Sequence, residues 1–339
     1  LTETSIPLTM SAFNNTTSQP LIFLLTGIPC LGESQIWISI PICLLYAIAL
    51  SGNSMILFVV IREHSLHEPM YYFLSMLSAT DLGLTICTLS TTLGVFWFNN
   101  REINLDACII QMFFLHGLTF MESGVLLAMA FDRFVAICAP LHYATILTNT
   151  KIAQIGMAIV VRDVAIMTPV VLLLKRLSFC QSKVLSHSYC YHVDVIQLSC
   201  NDNRVNSIMG LFALFSTTGI DCPCILISYV MIIRSVLNIA SPEERQKAFN
   251  TCVSHITAVA IFYIPLVSLS LVHRYGRRAP PFIHTMMANV FLLIPPVLNP
   301  IIYNVKTKQI RRAIINKVLR QYFFSYQYFK IQDQHPIFY

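Results

Sequence analysis

The chain has 339 residues, 55% of them hydrophobic and only 11% charged, with a net charge of +6 and a mean hydropathy of +0.65. Soluble domains carry about 25% charged residues, so this composition excludes a fold covered by a water-facing surface. Residues 34–61, 248–273 and 279–305 contain no Asp, Glu, Lys or Arg at all, and each run exceeds the roughly 20 residues a helix needs to cross a bilayer core.

Residues 1–35 read as a tail. Asn14-Asn15-Thr16-Thr17 holds two overlapping glycosylation sequons, at Asn14 and Asn15, and that modification requires a lumenal or extracellular face. Residues 1–20 lack a basic start followed by an apolar core, so the first span is expected to act as its own insertion signal. The residues before Met10 read as an upstream extension, and Met10 is a candidate start. Helices are expected near 36–61, 70–98, 108–138, 152–174, 205–236, 245–273 and 281–303. The expected fold class is therefore all-α, a seven-transmembrane helix bundle over 36–303. Its loops are short except for 175–204. A cytoplasmic tail follows over 304–339. Within it Ile310, Ala313, Ile314 and Val318 share one face, and Lys308, Arg311, Arg312 and Lys317 can reach anionic headgroups, so a short amphipathic helix 8 is expected. No Cys follows that helix, which leaves a palmitoyl anchor without support.

With the N-terminus outside, thirteen of the 22 Lys and Arg fall on the cytoplasmic side against eight outside, with Arg162 within a span. That bias favours N-out and C-in. The net positive charge reads as topology plus a basic tail, and no nucleic-acid module is present. Of the eleven cysteines, Cys43, Cys87, Cys222, Cys224 and Cys252 fall in apolar spans and read as small buried residues. Cys108, Cys180, Cys190 and Cys200 would lie on the oxidising side, where disulfides persist. Four cysteines allow three pairings, and spacing does not choose among them. His187, Cys190 and His192 are close enough for a metal set, but the even count and the compartment favour bridges.

The third span ends in Met129-Ala130-Phe131-Asp132-Arg133-Phe134-Val135-Ala136-Ile137-Cys138. A charge pair at the end of a lipid-length helix is costly and points to function. Other strings accompany it in order: Gly52-Asn53, Leu66-His67-Glu68-Pro69-Met70-Tyr71-Tyr72-Phe73-Leu74, Ser228-Tyr229, Lys247-Ala248-Phe249-Asn250-Thr251-Cys252-Val253-Ser254-His255 and Pro295-Pro296-Val297-Leu298-Asn299-Pro300-Ile301-Ile302-Tyr303. Over nearly its whole length the chain resembles the rhodopsin-like G-protein-coupled receptors, and within them the odorant receptors. Gly27-Ile28-Pro29 and Lys306-Thr307-Lys308-Gln309-Ile310-Arg311 resemble the fish-like, class I branch, close to its family 51. Two departures stand out. Cys30 occupies a position where that branch usually has Gly, and Phe134 replaces the commoner Tyr.

The resemblance implies disulfides Cys108–Cys190 and Cys180–Cys200. It implies a G-protein switch at Asp132, Arg133, Tyr229, Asn299, Pro300 and Tyr303, in which Asp132 holds the Arg133 guanidinium until a conformational change frees it. It also places Asp81, Glu122 and Asn299 around a sodium-type pocket. Two carboxylates sharing a dry site repel, so one takes a proton unless a cation sits between them. The only metal expected is sodium. Pro300 removes a backbone hydrogen bond and suits a moving helix.

On the ligand side, Tyr263, Leu266 or Val267, Ser270 and Arg274 recur at helical spacing on one face. His116 and Phe120 are one turn apart, and His192 and Val193 follow the loop cysteine. Together they describe a small apolar pocket with a few polar anchors. Arg274 has two readings. Its planar guanidinium suits a carboxylate, as the small water-soluble odorants associated with the class I branch would require. It could equally join Arg277 and Arg278 in a solvated loop. The expected function is odorant binding from outside and activation of an olfactory Gs-type heterotrimeric G protein, raising cyclic AMP. A transporter is disfavoured, because no internal repeat and no pair of broken helices in matching halves appears. An enzyme is disfavoured too, for want of HExxH, GxSxG or Walker strings. Arg162, Asp163 and Asp221 are further charges inside spans to which the sequence assigns no role.

Overall fold

A computed structural model describes residues 21–26, 35–179, 183–239, 241–275, 281–306 and 309–315. Met10, Asn14, Asn15, Cys30 and Cys180 lie outside the described residues. In chain order the elements are β1 (Ile22–Leu25), α1 (Gln35–Arg62), α2 (Pro69–Trp97), β2 (Glu102–Asn104), α3 (Leu105–Cys138), the short α4 (Tyr143–Ile146) and α5 (Asn149–Leu174). There follow β3 (Val184–Leu185), α6 (His192–Gln197), α7 (Arg204–Ser216), α8 (Thr218–Leu237), α9 (Pro242–Tyr275) and α10 (Pro281–Lys306). Among the described residues, seven helical spans are long and apolar enough to cross a membrane. The helices that carry them match the seven expected from the sequence, with helix ends shifted by up to three residues.

The fifth span differs from its expected form. One continuous helix over 205–236 was the expectation, but α7 and α8 are separated at Thr217, whose backbone leaves the helical region (φ −106°, ψ −86°). The Thr217 hydroxyl donates to Ala213 O at 2.8 Å and so takes the carbonyl that a backbone N–H would otherwise satisfy. The helix restarts at once, with Asp221 N–H donating to Thr217 O at 2.9 Å.

One end of the bundle is closed by a small sheet of order β2-β1-β3, antiparallel between β1 and β2 and parallel between β1 and β3. Along β1 the side chains alternate as a strand on a core must: Phe23 and Leu25 are buried, Ile22 and Leu24 exposed. The buried pair joins a cluster with Val95, Phe96, Met112, Leu174 and the Cys108–Cys190 disulfide. That disulfide, implied by the resemblance, ties the start of α3 to the loop carrying β3 and α6. Gln111 fixes the loop further. Its side-chain oxygen accepts from Cys190 N–H at 2.9 Å, and its amide donates to Cys87 O at 3.0 Å and Thr91 Oγ1 at 2.9 Å. Cys200 is also disulfide-bonded. At the opposite end, residues 309–315 are helical, with Ile310 buried and Ala313 and Ile314 against the main core. This is the expected start of helix 8.

The proline string of α10 explains a distant motif. Pro300 has no N–H, so the Pro296 carbonyl four residues earlier lacks its helical donor. Asn53 supplies one from α1: its side-chain amide donates to Pro296 O at 2.8 Å and to Ala49 O at 2.9 Å. The helices must approach closely for this, and Gly52 permits it, since a Cβ there would lie 2.9 Å from Pro300 side-chain carbons. Gly52-Asn53 and Asn299-Pro300 are therefore two halves of one joint. Substituting Asn53→Leu strands a buried carbonyl, and the expected loss is about 1–3 kcal/mol of stability. Gly52→Val acts in the same direction by pushing α1 off Pro300. Thermal unfolding of the detergent-solubilised protein checks both, and an unchanged Tm in the pair would remove the joint from the account.

Candidate functional site

Beneath the pinned loop lies a cavity of about 220 Å³ between α3, α5, α6, α7, α9 and α10. Its wall is mostly apolar, with Leu115, Phe120, Met167 and Leu266 among the lining residues. His116, Thr119, His192, Ser207 and Ser270 add polar atoms. His192 opens α6, two residues beyond the disulfide, and is 7% exposed. Its ring lies against Gly210 of α7, where any Cβ would fall 2.8 Å from the imidazole. The two imidazoles meet edge to face, and His192 N–H donates to His116 Nε2 at 3.4 Å, which puts the His116 proton on Nδ1. His192 Nε2 is buried with no hydrogen-bond partner. Burial pushes the His192 imidazole down to about 4, so it is neutral at physiological pH.

Under the cavity floor the three charges left without a role come together. Arg162 of α5 donates through Nε to Asp163 Oδ1 at 2.8 Å. Its Nη1 donates to Asp221 Oδ1 and Oδ2 at 2.9 and 3.1 Å, and its Nη2 to Phe120 O at 3.3 Å. Asp221 in turn accepts from Ser123 Oγ at 2.9 Å, and Ser123 Oγ lies 2.8 Å from Tyr263 Oη. The chain of contacts thus runs α5–α8–α3–α9, within one turn of Phe120 and Leu266 in the cavity wall. Gly124 leaves the passage for Arg162, since a Cβ there would stand 2.8 Å from Nη2. The charges inside the spans were visible in the sequence. Which charge meets which was not, because the meeting depends on the break at Thr217 and on helix rotation.

Deeper in the bundle Asn299 Nδ2 reaches Asp81 Oδ2 at 3.1 Å and Glu122 Oε1 at 3.4 Å. All three residues are buried, and Asp81 Oδ1 and Asn299 Oδ1 have no hydrogen-bond partner. At the far end Arg133 Nη2 lies 2.9 Å from Asp132 Oδ2, while Tyr143 of α4 donates its hydroxyl to Asp132 Oδ1 at 2.7 Å. Burial and the Asp132 carboxylate push the Tyr143 phenol up. Tyr229 Oη and His255 Nδ1 are 2.5 Å apart with their rings stacked. Tyr303 is buried nearby, its hydroxyl without a hydrogen-bond partner.

A family model for the olfactory receptor matches residues 42–321 of the chain. The chain belongs to the olfactory receptor family. Olfactory receptor 51F2 from Homo sapiens is 72% identical over 338 residues, covering 98% of this chain and 99% of its own length. Olfactory receptor 51F1, also from Homo sapiens, is 65% identical over 311 residues, 92% of this chain and 98% of its own. The crystal structure of squid rhodopsin superposes with a TM-score of 0.66 at 17% identity, covering 85% of each chain, a likeness of fold. The family-51 resemblance thus stands. This olfactory receptor is a multi-pass plasma-membrane protein that detects odorants and signals through a G protein, and it is not an enzyme.

Of the receptor residues expected to meet a ligand, His116, Phe120, His192, Val193, Leu266 and Ser270 line the cavity. Tyr263 does not. It sits below the floor, bonded to Ser123. Arg274 falls in the last turn of α9, and its side chain lies outside what is described. Sequence reasoning missed the α5 and α7 walls, including Met167, Ser207 and Gly210. The metal set weighed around His187 dissolves, since Cys190 is in the disulfide and His187 pairs with Asp194.

Two outcomes follow from this geometry. Arg162→Met leaves Asp163 and Asp221 buried without their cation and should cost about 3–5 kcal/mol, whereas adding Asp163→Leu and Asp221→Leu to it restores much of the loss. Receptor unfolding in micelles reads both; a triple variant no better than the single one refutes the pairing. The second concerns acid. His192 titrates near 4 when folded and near 6.5 when unfolded, so the stabilisation present above pH 6.5 is lost as pH falls towards 4. Tm measured from pH 7 to 4.5 should therefore fall less steeply in His192→Gln than in the wild type.

Proposed function

We propose that the receptor binds a small, polar-headed odorant, a carboxylic acid in the first instance, from the extracellular side, and activates an olfactory Gs-type G protein to raise cyclic AMP. The observation that carries this reading is the mostly apolar cavity beneath the pinned loop, into whose wall a buried, unpartnered imidazole nitrogen is set. Its volume of about 220 Å³ is below the roughly 300–1,000 Å³ of drug-sized pockets, which suits a short-chain molecule. His192 Nε2, buried and without a partner, favours a ligand that brings a donor or acceptor of its own. Ser270, which lines the cavity, adds a hydroxyl one turn before Arg274 on α9. Arg274 supplies the cation for a carboxylate.

In this reading the N-terminus is outside, with glycans at Asn14 or Asn15, and the Asp132–Arg133 end faces the cytoplasm. The disulfide at the sheet end supports that direction, as does the Lys and Arg bias. Asp81, Glu122 and Asn299 would hold a sodium ion or share a proton. The set of hard oxygen atoms, two of them without hydrogen-bond partners, fits a small cation, which would screen the two carboxylates from each other. Asp132, Arg133, Tyr229, Asn299, Pro300 and Tyr303 form the switch that answers to the ligand.

In a cyclic AMP assay with short-chain acids, aldehydes and alcohols, Arg274→Leu should abolish the response to acids and spare neutral ligands, while His192→Ala weakens both. An undiminished acid response in Arg274→Leu overturns the carboxylate assignment. The combination Asp81→Asn with Glu122→Gln should remove the sodium dependence of the response; persistence of that dependence places the ion elsewhere.

A further inference from the structure

A second cavity, of about 320 Å³, lies between α8 and α9 at the end of the bundle remote from the sheet. Its floor is made by Ile232 and Val236 of α8 and Cys252 of α9, all buried, and its rim by Leu237 and Phe249, 66% and 50% exposed. A slot with a buried apolar floor and an exposed apolar rim opens sideways, towards the surface that hydrocarbon covers in a spanning bundle. Arg245 stands at its α9 end. Among the described residues no carboxylate pairs with this guanidinium, and the neighbouring Gln246 amide is turned along the helix to Asn250 Oδ1 at 3.1 Å. An apolar slot ending in an exposed cation in the first turn of α9 matches the build of a phospholipid better than that of a soluble ligand.

We propose that this slot is a lipid site. One acyl chain of an anionic phospholipid lies between α8 and α9, and its phosphate rests on Arg245. The anionic preference depends on the orientation given above, because the cytoplasmic leaflet is the one rich in acidic lipids. The site also touches the switch. Tyr229 lines the slot, and its hydroxyl meets His255, so a bound chain packs against the same ring pair that joins α8 to α9 near Arg133.

The test uses the full-length receptor in nanodiscs with a phosphatidylserine carrying a photoreactive acyl chain, and the matching phosphatidylcholine as the comparison. Labelling is expected on peptides covering 229–256. Arg245→Gln should lower phosphatidylserine labelling about fivefold, the equivalent of one basic residue near an anionic surface, and leave phosphatidylcholine unchanged. Val253→Trp fills the slot and should abolish labelling by both. Equal labelling by the two lipids in the wild type overturns the anionic preference, and labelling that survives Val253→Trp overturns the site. Displacement of the lipid by a peptide from the G-protein C-terminus at the slot, with no loss in Arg245→Gln, would assign the slot to the protein partner and likewise overturn the proposal. An N-terminal epitope read on intact and permeabilised cells tests the orientation separately, so a failure there is distinguishable from a failure of the slot.

Discussion

The pairing of Arg162 with two carboxylates sets the terms for the middle of this bundle. A guanidinium in the centre of a membrane-spanning helix is tolerated only where its charge is matched and its donors are used. Asp163 and Asp221 do both, and the Phe120 carbonyl takes a further donor. Because Asp221 comes from another helix and passes the contact to Ser123 and Tyr263, α3, α5, α8 and α9 are held at one depth. The cavity beneath the pinned loop rests on that level. Any rotation of α9 that breaks Ser123–Tyr263 therefore alters the floor and the Arg162 site together.

The second organising feature is a repaired backbone. Prolines 295, 296 and 300 interrupt the hydrogen-bond ladder of α10, and in hydrocarbon an unmet carbonyl has no water to turn to. Asn53 meets one of these needs from α1. Asn299, beside Pro300, meanwhile spans the gap between Asp81 and Glu122. The same irregular turn thus fixes α10 to α1 and brings its amide between two acids.

Much of this was legible in the residues because hydrocarbon imposes simple rules. Charge-free runs marked the spans, and Ile310, Ala313 and Ile314 marked the helix 8 face. His116, Phe120, His192 and Ser270 were placed on the cavity from periodicity and from the loop cysteine alone. What stayed hidden depends on relative rotation of helices. Tyr263 shares a face with Ser270 by spacing, yet lies two turns deeper and spends its hydroxyl on Ser123. Arg162 and Asp221 are 59 residues apart, and nothing local in either segment names the other. The break at Thr217 was equally silent, since a threonine hydroxyl can take a helical carbonyl without any Gly or Pro to announce it.

The sheet over the cavity also constrains the order in which the receptor can be made. β1 is the first described segment to leave the ribosome, but its antiparallel partner β2 starts at Glu102 and its parallel partner β3 at Val184. Strand pairing across such separations must wait for loop closure, here until α5 has been inserted and the loop after it delivered to the same face. The earliest-made strand is thus among the last to find its place. Until then Phe23 and Leu25 are uncovered, and the roof over the cavity is a late product of biogenesis.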